Sequence, residues 1–172
     1  MIVISTRKND PYLQYAMSVH YTRPKSPPPG RIITHIFREE LGSVDAILSY
    51  GWAPFIKVLL ERFSIEQLSN MTVANNWLFH RYEHAPLKAS EYLIMSIRKL
   101  PENIRYVVTF VPVSKEGLCY KIAGFQQIGI TKGYTVRFKR KKRNGRKVIV
   151  GKLVRRVEPK RILLYTRERK AI

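Results

Sequence analysis

Residues 105–129, RYVVTFVPVSKEGLCYKIAGFQQIG, decide how this chain folds. Arg105 to Val111 is a β-branched and aromatic run, long enough for one buried strand. Ser114 is suited to cap a helix, and Glu116 favours the positive end of its first turn. Leu118, Tyr120, Lys121 and Ile122 carry the next turns, and Gly124 supplies a left-handed stop. Phe125 to Thr131 then resumes the pattern of a strand. The stretch reads as strand, short helix, strand, with a tyrosine in the helix and Gly124-Phe125 at the corner.

Upstream, Met1 to Gly30 opens the chain and ends in TRPKSPPPG, whose prolines make a stiff, extended loop. Arg31–Arg38 and Val44–Tyr50 are strand-like runs joined by EELGS, a hairpin signal. Pro54–Phe63 and Ile65–Ser69 read as helical, with Phe55, Val58, Leu59 and Phe63 on one face. Met71–Phe79 returns to strand character. Pro86 to Leu100 is the clearest helix: Pro86 suits the first turn, Leu93, Ile94, Ile97 and Leu100 form its stripe, and Pro101 ends it. Downstream, Tyr134–Arg143 and Arg146–Arg156 form a hairpin turned by Asn144-Gly145, and Arg161–Thr166 is a last strand-like piece. This order predicts an α/β architecture, a mixed sheet with helices on its faces.

The charge is uneven. Of a formal net charge of +20, residues 131–172 carry +15, from 17 Lys/Arg and 2 Asp/Glu. A basic half of this kind predicts a polyanionic partner. One cysteine, Cys119, excludes an internal disulfide and suits a reducing compartment. No apolar run reaches 18 residues and the N-terminus lacks a signal-peptide pattern, so the expectation is a soluble, cytoplasmic protein without a membrane partner.

The order of elements resembles the GNAT acyltransferase fold, with a mostly antiparallel sheet. Within it, the chain resembles the Mom-type DNA-modification proteins of Mu-like phages. The matching pieces are His20-Tyr21-Thr22, Phe79-His80-Arg81, Lys88-Ala89-Ser90-Glu91-Tyr92-Leu93, and Gly117-x-x-Tyr120-Lys121-x-Ala123-Gly124-Phe125. One departure is plain: Val111 precedes Pro112 where that family has an Asp. The usual GNAT pyrophosphate loop is also absent, which is typical of the Mom-type branch. The division implied is a GNAT-like domain over residues 1–131 and a basic hairpin extension packed on it over residues 132–172.

The resemblance implies acetyl-CoA as acyl donor and transfer to an exocyclic amine, that of adenine, in double-stranded phage DNA, which would shield it from restriction. It places the pyrophosphate at the helix start, Lys88, Ala89 and Ser90, and the pantetheine arm along Thr109 and Phe110. Tyr120 would protonate the departing sulfur, Arg81 would anchor a phosphate or orient substrate, and Tyr21 would stack on a base. It leaves room for an iron with His20 the nearest candidate ligand, and for a homodimer. Each residue also has a plainer reading: a packed Tyr120, a solvated strand-end Arg81, a surface Tyr21, a structural His20, an ordinary first-turn Ser90. Two other functions stay open: a nucleic-acid-binding protein that kept the fold without the chemistry, and an acetyltransferase of a protein or small amine.

Two further patterns stand apart from the resemblance. His80 to His84, HRYEH, fits the H-x-x-E-H of inverted zinc peptidases, which needs a helix, yet its surroundings read as extended. The hairpin tip carries Arg137, Lys139, Arg140, Lys141, Lys142, Arg143, Arg146 and Lys147. A basic two-stranded ribbon fits a DNA groove, and phosphates would provide sequence-independent affinity.

Overall fold

The computed structural model describes residues 1–39, 42–54, 57–62, 72–143 and 146–167, with backbone alone for residues 136–140, 142, 143 and 146–148. In chain order the elements are β1 (Ile2–Ser5), α1 (Pro11–Val19), β2 (Ile33–Arg38), β3 (Val44–Trp52), α2 (Lys57–Arg62), β4 (Val73–Arg81), α3 (Ala89–Arg98), β5 (Tyr106–Pro112), α4 (Leu118–Ile122), β6 (Gln126–Ile130), β7 (Tyr134–Arg143), β8 (Arg146–Arg156) and β9 (Lys160–Thr166). Seven strands make one sheet in the order β1-β2-β3-β4-β5-β9-β6, and β7 and β8 pair as a separate ribbon. Every pairing in the main sheet is antiparallel except β4 with β5. The α/β class and the mostly antiparallel sheet are as expected.

The twofold alternation of strand side chains sorts the apolar residues to two faces. On one, Leu93 and Ile97 of α3 pack with Leu48, Tyr50, Val107, Val111 and Leu163. On the other, Leu13, Ala16 and Met17 of α1 cover Ile36, Ile47 and Leu78, while Leu59 of α2 covers Val73, Val108, Ile162 and Leu164.

Several expectations change. The Met1–Gly30 segment holds both β1 and α1, the helix starting where Asp10 Oδ1 accepts from the amides of Tyr12 and Leu13 at 3.0 and 3.4 Å. The helix expected from Pro86 begins at Ala89, because Lys88 is still extended and its amide donates to Glu91 Oε2 at 2.7 Å. The short helix expected from Ser114 is confined to Leu118–Ile122, and Ser114 instead donates its amide to Glu158 Oε1 at 2.7 Å. Phe55, Phe63, Ile65–Ser69, the Glu40-Leu41 part of the first hairpin and the Asn144-Gly145 turn lie outside the described residues. The line drawn at residue 131 does not follow the sheet. Strand β9 returns from the presumed extension to lie between β5 and β6, so the ribbon is an excursion of 134–156 within one sheet.

Two irregularities open the sheet. Ser49 pairs with Leu78 and Tyr50 with Asn76, so Trp77 is an extra residue bulged out of β4. Strands β4 and β5 pair only at Val73–Tyr106, Ala74–Val107 and Asn75–Val108, and then diverge. A parallel pair that parts midway leaves backbone donors and acceptors on both inner edges free for a ligand.

Candidate active site

A cleft of about 770 Å³ occupies this divergence. Strand β4 contributes Asn75, Asn76, Trp77 and Phe79, and β5 contributes Thr109, Phe110 and Val111. The turn into α4 adds Lys115 and Gly117, α4 itself adds Cys119 and Tyr120, and Lys160 enters from β9. The loop after α1 closes the remaining side with His20, Tyr21, Thr22 and Pro24, opposite Pro54. The volume suits a small ligand or the arm of a larger one.

Asn76 organises the centre. Only 2% exposed, it donates through Nδ2 to the carbonyls of Ser49 (3.3 Å) and Leu78 (3.1 Å), groups that the β4 bulge takes out of regular pairing. Its own carbonyl accepts from Thr109 Oγ1 at 2.9 Å, a side-chain bridge where the strand ladder has stopped. Its Oδ1 accepts from the Tyr120 hydroxyl at 3.0 Å. The phenol is further fixed by edge-on contacts with Phe79 and Phe125, with centroids at 6.3 and 5.3 Å. Burial, with Cys119 beside it, pushes the Tyr120 phenol far up, so it holds its proton throughout the neutral range. The Cys119 thiol is raised as well, mainly by burial, and stays protonated.

The start of α4 depends on glycine. Gly117 has φ of +63°, and a Cβ there would stand 3.2 Å from Val111 Cγ1. That approach lets α4 begin directly over the end of β5 and brings Tyr120 to the divergence. Val111 is 5% exposed and packs in the core shared with α3. An aliphatic side chain therefore stands where the resemblance led us to look for an acid.

The residues singled out from sequence separate into two groups. Tyr120, Tyr21, Thr109, Phe110 and His20 come together around the cleft. Lys88, Ala89, Ser90 and Arg81 are not among its lining. Arg81 is engaged structurally, with Nε donating to Leu87 O at 2.8 Å and Nη2 to Ala85 O at 2.5 Å. It clamps the loop between β4 and α3. Ser90 is buried, and the Glu91 carboxylate already takes the amide of Lys88, the residue that caps α3. Of the basic residues assigned to nucleic acid, only Lys141 has a described side chain, which is exposed; those of Arg137, Lys139, Arg140, Lys142, Arg143, Arg146 and Lys147 lie outside the described set.

His20 does not offer a ring nitrogen to a metal. Its Nδ1 lies 2.7 Å from Thr22 Oγ1 and accepts from the Thr22 amide at 3.3 Å, and the ring also bonds the backbone of Phe79. Burial and neighbouring His80 lower it to about 4, so it is neutral and ties the loop to β4. Among the described residues no group of three or more His, Cys, Asp or Glu could hold a metal. The HRYEH segment ends β4 and enters a turn, which removes the helical frame that a zinc peptidase motif needs. Also among these residues, no helix is long and apolar enough to cross a membrane.

Asn75, Asn76, Trp77, Lys115, Cys119 and Lys160 were not foreseen as site residues. Two adjacent amides inside an apolar strand run, VANNWLF, were the available signal, since a buried amide demands partners.

No family model matches the chain, and no curated protein sequence does. Solved structures do resemble it. A protein provisionally assigned as a phosphinothricin N-acetyltransferase aligns with a TM-score of 0.56 at 13% identity, over 98% of this chain and 100% of its own. NAA60 of Arabidopsis thaliana, in complex with a bisubstrate analogue, aligns at 0.54 and 12%, over 96% and 100%. A provisionally assigned acetyltransferase of Acinetobacter baylyi aligns at 0.52 and 12%, over 96% and 92%. The fold is thus that of the GNAT acetyltransferases.

Proposed function

We propose that the protein is an acyl-CoA-dependent N-acyltransferase, and that its acceptor is an amine on a DNA base, adenine being the reading the Mom-type resemblance favours. The observation that carries the first half is Tyr120: a protonated phenol, held by Asn76, at the point where two parallel strands part. Acyl-CoA, when bound, would supply an activated thioester carbonyl and a thiolate leaving group. The freed edges of β4 and β5 are suited to hydrogen-bond its pantetheine arm, Thr109 and Phe110 lying on that path. Lys115 and Lys160 add positive charge at the cleft, as a phosphate-bearing ligand requires. Tyr120 is the proton donor to the departing sulfur: Asn76 holds the phenol oxygen in the cleft, and the hydroxyl turns from Asn76 Oδ1 to the sulfur.

What supports nucleic acid as acceptor is charge: +15 over residues 131–172, much of it on a ribbon of groove-compatible form. Val111 favours a second reading, a nucleic-acid-binding protein that retains the fold without transfer. Two measurements decide. Titration calorimetry with acetyl-CoA separates enzyme from binding module, and Tyr120→Phe is expected to keep donor affinity while losing about 10²- to 10⁴-fold in turnover. Mass spectrometry of nucleosides from cells expressing wild type beside Tyr120→Phe tests DNA: only standard nucleosides with wild type would leave a protein or small amine as acceptor.

A further inference from the structure

We infer that a nucleic-acid strand reaches the cleft unpaired, its bases stacking on a track of aromatic rings that begins outside the cleft at Tyr15 and Tyr82. The track leads through His80 to His20 and Tyr21 at the cleft mouth. This rests on the nucleic-acid reading above and states the form in which the strand arrives. Leu78 packs under α1, and His80 and Tyr82 follow it at two-residue spacing, Tyr82 against the same cluster. Tyr15 of α1 lies parallel to Tyr82 within 4°, with ring centroids 6.3 Å apart. His80 and His84 flank Tyr82 at 4.6 and 5.8 Å. At the other end His80 is near enough to His20 to lower its pKa, and the His20 ring lies 4.3 Å from that of Tyr21. Both His20 and Tyr21 line the cleft, so the rings form one path into it.

Helix α1 carries more apolar surface than the core uses. Leu13, Ala16 and Met17 are the stripe that packs on the sheet. Tyr12, Tyr15 and Val19 add a second stripe at i, i+3 and i+7 that faces solvent, Tyr15 being 56% exposed. A single exposed aromatic is ordinary, whereas a contiguous set opening on a cleft marks a binding surface. Charge identifies what binds there. Arg7 and Lys8 stand before α1 and Arg23 and Lys25 after it, all exposed. The one acid in residues 1–26 is Asp10, whose carboxylate accepts from the amides of Tyr12 and Leu13. Rings for base faces, set between cations for phosphates, compose a site for a single strand. A duplex offers the same phosphates but keeps its base faces stacked on one another, so the rings distinguish the two forms. A base that enters the cleft has to leave the stack in any case.

The test is fluorescence anisotropy on the whole protein, with a labelled oligothymidylate of about 12 nucleotides, alone and annealed to oligodeoxyadenylate. Tyr15→Leu keeps apolar bulk and removes the ring. It should weaken single-strand binding about fivefold or more while leaving duplex affinity within about twofold of wild type. Tyr15→Phe, which keeps the ring, should bind the single strand as wild type does. Equal losses for both strand forms, or single-strand binding by Tyr15→Leu as tight as wild type, overturn the inference. A Tyr15→Phe protein as weak as Tyr15→Leu overturns it too, because the hydroxyl and not the ring would then matter. So does a concentration-dependent dimer in sedimentation velocity that Tyr15→Leu abolishes, which would assign this face to a second copy of the chain. In each of these cases duplex binding persists, and the nucleic-acid reading stands without the track. Binding of neither strand form removes that reading and the inference together, and acetyl-CoA calorimetry then decides the acyltransferase half by itself.

Discussion

Replacing Asn76 by alanine tests whether one buried amide both braces the divergent strands and aims the phenol. The substitution removes three side-chain hydrogen bonds, to Ser49, Leu78 and Tyr120, from a residue 2% exposed. At about 1 kcal/mol net for each, the loss is about 3 kcal/mol. For a domain of this size that lowers Tm by about 6–12 °C, read by calorimetry. The protein should still fold, since domains commonly have about 5–15 kcal/mol in hand. Turnover should fall more than donor binding. A loosened Tyr120 hydroxyl is expected to reduce kcat about 10- to 100-fold, with the acetyl-CoA Kd within about threefold of wild type. In a double-mutant cycle with Tyr120→Phe the two losses should overlap by about 1 kcal/mol, because they share one bond. A Tm within about 2 °C of wild type would sink the bracing role, and strictly additive losses would sink the coupling to Tyr120.

Three further outcomes can be checked directly. His35 is fully buried, bonded through Nδ1 to Ser96 Oγ at 2.8 Å, and lowered by burial to about 4; because the unfolded chain binds its proton near 6.5, stability should fall as pH drops from about 6.5 towards about 4, by at most roughly 1.4 kcal/mol per unit. Urea titrations across that window check it, and a His35→Gln protein that still folds should show a shallower slope. Gly117→Ala forces a side chain into a left-handed residue and against Val111; it should cost about 1–2 kcal/mol and, by displacing α4, reduce turnover more than donor affinity. Lys152, Arg155 and Arg156 are exposed on β8, and if the ribbon meets phosphates, each replacement by alanine should reduce the slope of log K for DNA against log salt by about 1. An unchanged slope for all three would remove the ribbon from the interface.

What could be read in advance was local. The strand β5 and the glycine stop after Tyr120 formed where the 105–129 pattern put them, though the helix between starts later than Ser114, because strand composition and a left-handed Gly124 (φ +93°) are short-range effects. Helix α1 was legible and overlooked: Asp10-Pro11 is a cap followed by Leu13, Ala16 and Met17 at helical spacing, overshadowed by the prolines after it. The divergence of β4 from β5 was not legible at all. It depends on a bulge at Trp77 set by pairing with β3, and on β9 occupying the far edge of β5. The contacts of Arg81 were not legible for a related reason. A strand-end arginine points to the cleft or to its own loop according to where carbonyls lie, and those of Ala85 and Leu87 come from a turn that no periodicity reveals.

The placement of β9 has a consequence for how the protein is made. Strand β5 finishes at Pro112, yet the partner for its outer edge is residues 160–166. At about 5–20 residues per second, the ribosome leaves that edge bare for roughly 3–10 s while the ribbon is being synthesised. Throughout that interval the nascent chain displays Tyr106 to Pro112, an apolar strand with unpaired amides, to its neighbours. The strand that flanks Tyr120 is therefore also the segment most exposed to mispairing at birth. Slower translation through residues 113–159 should lower the yield of folded protein before it alters any property of the molecules that do fold.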